Sequence, residues 1–554
     1  MIGVIAGDSE VAVAREFFEL FKTPWEIWNS EKAYDVVLCA TGECPEHLQA
    51  ALVLVYSGKR LASDPEDTVE ERGDHGAKSL RYKDSEIPIY GGCVNFPGGD
   101  SGILADRESG QPAILHKEPG EQQTILRVGY NLFEEIRFLL TSGQPVEQAG
   151  IPTLELHIEF LRDQLLAAGI AFVEIPPVPE GYRFIVCLTH DVDHPSIRKH
   201  RWDHTAAGFL YRGTVGTFLS FVRGRCSVRA LVRNWIAVAK WPFVQVGLAK
   251  DFWLDFAERY REIEEGAAST YFVIPFAGTP GRSVKRSTAK RRAAGYGARD
   301  IEPAIRNILK NKNEIGLHGI DAWMDSEAGL KELEEIRTLT GKAEIGVRMH
   351  WLCYDQRSPE ELERAGASYD STVGYGETVG YRTGTSQAYV PPGADYLMEL
   401  PMHVMDTALF YPAYLGLTEE EADKILAKLV NNADRFGGCI TVNWHDRSLA
   451  PERVWDACYR KLIDDLRVQG AWFATASQAV SWFRDRRSVV FETDRSDSKE
   501  LCATTTSAHD ERLPDLRLRI QKPNPDRDRS NSAGFVDVGI NRSAVVPAVC
   551  EADA

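Results

Sequence analysis

The 554-residue chain has no Cys-x-x-Cys pair among its ten cysteines, so neither a zinc ribbon nor a disulfide framework is expected, and scattered core thiols are. No run approaches the roughly 18 uninterrupted apolar residues that span a bilayer. The opening Met1-Ile2-Gly3-Val4-Ile5-Ala6-Gly7-Asp8 has no basic stretch ahead of an apolar one, and a cytoplasmic protein is the expectation. Basic residues are in deficit, 64 against 81 acidic ones, and the net charge of −17 argues against nucleic acid as the bulk partner. The pairs Gly91-Gly92 and Gly98-Gly99 lack both phosphate-loop and dinucleotide spacing and read as turns. Past residue 485 aromatics almost vanish, leaving Phe491 and Phe535, so residues 525–554 are expected to be disordered.

What is present is α/β. A short apolar strand over Ile2 to Ala6, a helix through Phe17, Phe18 and Phe21, and a strand over Asp35 to Ala40 make a βαβ opening. An N-terminal α/β domain over 1–145 follows, then a connecting helix and Pro-rich linker over 146–182. From 183 to 486 helical periods alternate with short buried strands such as Ser269 to Ile274, Ala343 to Val347 and Gly438 to Val442, which points to an α/β barrel or wound sheet. Residues 487–524 suggest a small β appendage before the tail. Between 198 and 242, nine basic residues face one acid, Asp203, with Phe, Leu and Trp interleaved. Amphipathic helices covering a pocket explain that segment, and peripheral contact with an anionic or lipid-linked substrate at a membrane surface is the sharper reading.

Chemistry concentrates where strands end. In Cys187-Leu188-Thr189-His190-Asp191-Val192-Asp193-His194 an apolar strand runs into two carboxylates and two imidazoles. Acids two apart on a strand share a face, where they repel unless a cation or a shared proton compensates, so a divalent metal beside a general base is expected. His318 follows Ile315-Gly316-Leu317, Arg348 and His350 follow Val347, and His445 follows Val442-Asn443-Trp444. In a parallel barrel the C-terminal strand ends share one rim, so these groups would converge.

The order Thr-His-Asp-Val-Asp-His, Glu-Ile-Gly-Leu-His-Gly, Val-Arg-x-His-Trp, Tyr-Asp-Ser-Thr and Asn-Trp-His resembles the polysaccharide deacetylase family, carbohydrate esterase family four, over residues 183–485. The resemblance implies a distorted (β/α) barrel with fewer than eight complete units and metal-dependent removal of acetyl groups from N-acetylated sugars. Carried over, Asp191 is the base, Asp193 the metal carboxylate and His318 the first metal histidine, with the roles of the two Asp open to exchange. The second metal histidine should stand where Ala322 does; His350 is the candidate in its place and His194 the reserve. Arg348 orients the base, Asp370 falls in the following motif, and His445 protonates the leaving amine. Trp351 and Arg382 are the expected substrate-binding residues. One divalent ion, Zn2+ foremost, suits a carboxylate with two histidines and an open position. The alternatives are hydrolysis of another amide or a cyclic imide, and glycan binding without catalysis.

Overall fold

A computed structural model describes residues 1–42, 44–45, 48–71, 78–120, 123–224, 226–282, 286–453, 455–493, 500–506, 510, 512–523, 534–540 and 543–547. The chain divides into two compact units: Met1–Gly181 with Tyr381–Thr385 and Trp482–Ala554, and Tyr182–Gly380 with Ser386–Ser481.

The first unit is built on a six-stranded sheet in the order Ile114–Gly120, Gln123–Val128, Leu52–Tyr56, Val36–Cys39, Ile2–Ile5, Trp25–Ile27, parallel except for its first pair. Helix Val11–Phe21 buries Phe17, Phe18 and Phe21, and helix Leu132–Thr141 starts on Asn131, whose side chain accepts from the N–H groups of Phe133 and Glu134. The helix expected to connect domains, Thr153–Ala167, instead buries Leu154, Phe160, Leu161 and Leu165 within this unit. Strands of the β appendage join it too: Leu516–Lys522 pairs with both Phe172–Glu174 and Gly534–Ile540. Within the tail expected to be disordered, 534–540 and 543–547 are thus strands, the first rich in the β-branched Val536, Val538 and Ile540 beside the single aromatic Phe535. The remainder of 525–554 lies outside the described residues.

The second unit is a (β/α) barrel. Its parallel strands run in the order Val347–Met349, Glu314–Gly319, Ser269–Val273, Phe184–Val192, Cys439–Asn443, Val404–Met405, and Ala471–Phe473 flanks the start of 184–192. Phe184–Val192 is buried along its whole length, as a strand covered on both faces must be, which is why it reads as a continuous apolar run. Two irregular segments close the ring. Asp370 bridges Val347 on one side and Glu399 on the other, and the chain from Glu399 leads on into Val404–Met405. That closure needs Gly346, because a Cβ there would fall 1.9 Å from Cζ of the Tyr369 ring.

Removing residues 534–554 is expected to lower the melting temperature by roughly 4–8 °C, since losing the burial of one aliphatic side chain such as Ile540 costs about 2 kcal/mol. Scanning calorimetry of the truncated and full chains checks it; an unchanged transition would show that these strands add nothing.

Candidate metal centre and the groups beside it

The barrel delivers its polar residues at the C-terminal strand ends: Asp191 and Asp193 from Phe184–Val192, His318 from Glu314–Gly319, Arg348 and His350 from Val347–Met349, and Asn443 and His445 from Cys439–Asn443. Alternation along the first of these sends His190 to the opposite face. There it is satisfied by Glu264 at 2.9 Å and the Trp444 carbonyl at 2.8 Å, a structural histidine.

Three ligand atoms converge. His350 Nδ1 lies 3.0 Å from His318 Nε2, and Asp193 Oδ1 lies 3.4 Å from His318 Nε2 and 3.3 Å from His350 Nδ1. The opposite ring nitrogens fix the tautomers. His318 Nδ1 faces the Arg348 carbonyl oxygen at 2.9 Å and His350 Nε2 faces that of Arg292 at 3.1 Å. A carbonyl oxygen only accepts, so both of those nitrogens carry protons and the two inward nitrogens present lone pairs. Asp193 Oδ1 is itself buried without a hydrogen-bond partner. With both rings neutral, three acceptors lie within 3.4 Å of one another, an arrangement that a cation would satisfy, and burial of His350 lowers its affinity for a proton. Asp193, His318 and His350 therefore form a group able to hold a metal ion.

Ala322 is fully buried, and a Cβ added at Gly329 would fall 3.1 Å from its own. His350 joins the candidate group from a different strand end. His194, the reserve ligand, turns elsewhere: its Nδ1 meets His200 Nε2 at 3.2 Å, and His200 meets Asp203 at 2.6 Å.

Beside this group lies Asp191, 3% exposed. Its Oδ1 accepts from Arg348 Nη1 at 3.1 Å and its Oδ2 from Asn443 Nδ2 at 2.7 Å. Burial would raise its pKa, but the positive charge of the groups around it, Arg348 and His445 among them, outweighs that and holds it below the ordinary carboxylate value. His445 faces Asp193 Oδ2 with Nε2 at 3.9 Å, and its Nδ1 meets Asp406 Oδ1 at 2.6 Å. Burial would lower that imidazole; Asp406, Asp193 and Asp191 overcome it and push the pKa up to about 10.

Asp406 is a residue that sequence reasoning missed. It follows the strand Val404–Met405 as Asp191 ends its own, but a two-residue strand leaves no apolar run to mark it. Its Oδ2 also accepts from the His445 N–H at 2.7 Å and from Ser448 Oγ, so the carboxylate fixes the ring. Asn443 was likewise unassigned.

Asp370 closes the barrel wall beside Glu399, accepting from Thr372 Oγ1 at 2.5 Å, and burial raises its pKa to about 6. Arg382 belongs to the short segment 381–385 of the first unit, where its carbonyl accepts from the Gln144 N–H at 2.7 Å. Trp351 does border the site: it is 49% exposed, its ring centroid 5.9 Å from that of His350. Its φ of +64° is rare for so bulky a residue and costs on the order of 1–3 kcal/mol.

No protein-family model and no curated protein matches the chain. Among solved structures, it is similar to a protein assigned as a polysaccharide deacetylase from Mycobacterium smegmatis, at 20% identity and a TM-score of 0.36 over 56% of this chain and 95% of that one. A protein assigned to the same activity from Pseudomonas aeruginosa PAO1 matches at 15% identity and 0.33, over 56% and 94%. A glycoside hydrolase family 57 branching enzyme from Thermococcus kodakaraensis matches at 11% and 0.32, over 54% and 71%. Likenesses this distant say nothing about activity.

Purified protein is expected to carry about one equivalent of a divalent transition metal, and Asp193→Ala, His318→Ala and His350→Ala each to lose most of it, because a three-ligand site rarely survives loss of one ligand. His194→Ala should keep it. Elemental analysis decides; full metal content in the first three variants would refute the site.

Proposed function

We propose that the chain is a metal-dependent hydrolase of the polysaccharide deacetylase family that removes an acetyl group from an N-acetylated sugar or polysaccharide precursor. One observation carries the reading. A group of three lone pairs that calls for a cation lies beside an ionised carboxylate, Asp191, on one side and a protonated imidazole, His445, on the other. Binding a glycan needs no such pairing of acceptor and donor, whereas cleaving an amide needs both.

Asp193, His318 and His350 would hold the ion, with Zn2+ the best match to a carboxylate and two imidazoles. A divalent ion there supplies the Lewis acidity that polarises an amide carbonyl and acidifies water enough for a carboxylate of low basicity to deprotonate it. Asp191 is the base: Arg348 and Asn443 occupy one lone pair on each of its oxygens, fix its plane and keep it ionised. It accepts the proton of the attacking water. His445, held protonated by Asp406, delivers its Nε2 proton to the amide nitrogen as the C–N bond breaks, which matters because an amide anion is a very poor leaving group. The half-exposed Trp351 indole beside His350 offers an apolar face on which a sugar ring can stack.

Asp191→Asn and His445→Ala are expected to retain fold and metal yet slow acetate release from N-acetylated sugars by at least about a hundredfold, the usual scale of acid–base assistance. Acetate assays over a panel of such sugars test this; opening of cyclic imides without acetate release would move the reading to another amide hydrolase, and glycan binding with metal but no turnover would make the protein a binder.

Asp406→Ala should slow the same reaction by about tenfold or more with metal content unchanged, and it should lower the alkaline pKa of the rate profile, since the carboxylate that keeps His445 protonated is gone. An unshifted alkaline limb would show that Asp406 only packs.

A further inference from the structure

The chain leaves the barrel just past Asp193 and builds a helical hairpin before returning at Ser269–Val273. Helix His204–Tyr211 continues through a π turn, Arg212–Gly216, into Thr217–Val222, and helix Val228–Gln245 follows a short loop. The two pack together, with Asn234 Nδ2 donating to Thr217 Oγ1 at 2.7 Å. Their inner faces are already served: Phe209, Ala237, Trp241 and Val244 form one core with Trp253 and Ala450.

The outer faces are also apolar. Val215, Phe218 and Val222 on the first helix and Val228, Val232 and Trp235 on the second recur three and four residues apart and are between 47% and 65% exposed. A groove lined by Val215, Phe218, Leu219, Trp235 and Val238 joins the two rows into one patch. The concentration is unusual for a surface. Of the 31 large apolar side chains exposed among the described residues, 14 lie within residues 202–248. A helix apolar on two opposite faces has one face too many for a core, and the second calls for a partner.

Charge identifies that partner. Arg229, Arg233 and Lys240 recur four and seven residues apart, one position beyond the apolar row of their helix, so a cationic row runs along its edge. Arg233 reaches Asp456 at 3.6 Å, but Arg201, Arg223, Arg229 and Lys240 have no carboxylate partner among the described residues. Asp203 offers them none, being occupied by the Thr205 and Ala206 N–H groups and by His200. Apolar rows edged by unpaired cations, on a chain of net charge −17, fit an anionic bilayer interface.

We propose that the outer face of the 204–245 hairpin docks on the surface of an anionic phospholipid bilayer, inserting its aliphatic and aromatic side chains shallowly while its basic row meets the headgroups. The hairpin does not cross the membrane; among the described residues no helix is long and apolar enough to do so.

Co-sedimentation of the full chain with vesicles tests this. Binding is expected to equimolar phosphatidylcholine and phosphatidylglycerol, at least about tenfold stronger than to phosphatidylcholine alone, and weakened by salt because the charges involved are exposed. The double variants Phe218→Ser with Trp235→Ser and Arg229→Glu with Lys240→Glu should each lose about tenfold or more while keeping the wild-type circular dichroism spectrum and melting temperature. No binding to the mixed vesicles overturns the proposal, as does equal binding to both kinds. So does a concentration-dependent dimer abolished by the apolar pair without vesicle binding, or retention on nucleic acid in its place. None of these readouts depends on hydrolysis.

Discussion

The Arg348 side chain is completely buried inside the barrel and every part of it is used. Nη1 donates to Thr189 Oγ1 and to Asp191 Oδ1, Nε and Nη2 donate to the carbonyl and hydroxyl of Ser371, and the guanidinium lies 4.6 Å from the Phe272 ring centroid. Its own carbonyl accepts from His318 Nδ1. One residue thus ties the strand of Asp191, its neighbour, the strand of His318 and the irregular segment that closes the barrel. A planar cation with five donors suits this position, where an ammonium would satisfy at most three partners. Breaking a buried pair of this kind typically costs about 3–5 kcal/mol, because the abandoned carboxylate stays buried.

Around that cation the barrel gathers more negative charge than one guanidinium can balance. Asp191, Asp193, Asp406 and Asp446 crowd one end, with Asp370 and Glu399 in the wall. The structure resolves the excess in different ways. Asp406 is matched by the His445 proton. Asp370 and Glu399 are both buried, and burial moves their pKa values up, to about 6 for Asp370 and well above the ordinary value for Glu399. Asp193 faces His445 with one oxygen, at 3.9 Å, while its other oxygen is buried without a hydrogen-bond partner beside His318 and His350, in a group that could hold a metal ion. The same electrostatics set Asp191, held ionised, apart from Asp370, whose carboxyl burial keeps less acidic.

The legible part of this site was the part that ends long apolar strands. Asp191, His318 and Arg348 follow buried runs whose chemistry changes abruptly, and a parallel barrel gathers such ends at one rim. Asp406 escaped because its strand is two residues long, and its role emerges only from its distance to His445. Arg382 stood close to the motifs along the chain, yet the segment 381–385 packs with the other unit, which no periodicity announces. The weak alternation at 516–520 was visible, whereas the strands at 534–547 were hidden by an aromatic count that takes no notice of β-branched residues. The double apolar face of 204–245 is hidden from composition as well, since burial alone separates the inner row from the outer.

Taking the second imidazole from position 350 changes what the metal group depends on. Two ligands four residues apart on one element move together, but His318 and His350 sit on separate strands, and their relative position is set by the register that pairs His318 with Arg348 and Gly319 with Met349. A one-residue slip there would turn the ligands to opposite faces and remove the Arg348 carbonyl from His318 Nδ1 in the same step. That register is secured on its far side by the close approach of Tyr369 to Gly346 and by the hydrogen bonds of Val347 to Tyr369 and Ser371. The candidate metal group and barrel closure are therefore coupled through the three-residue strand Val347–Met349: whatever loosens 369–373 loosens His350, and an ion held by His318 and His350 would tie two strands to each other.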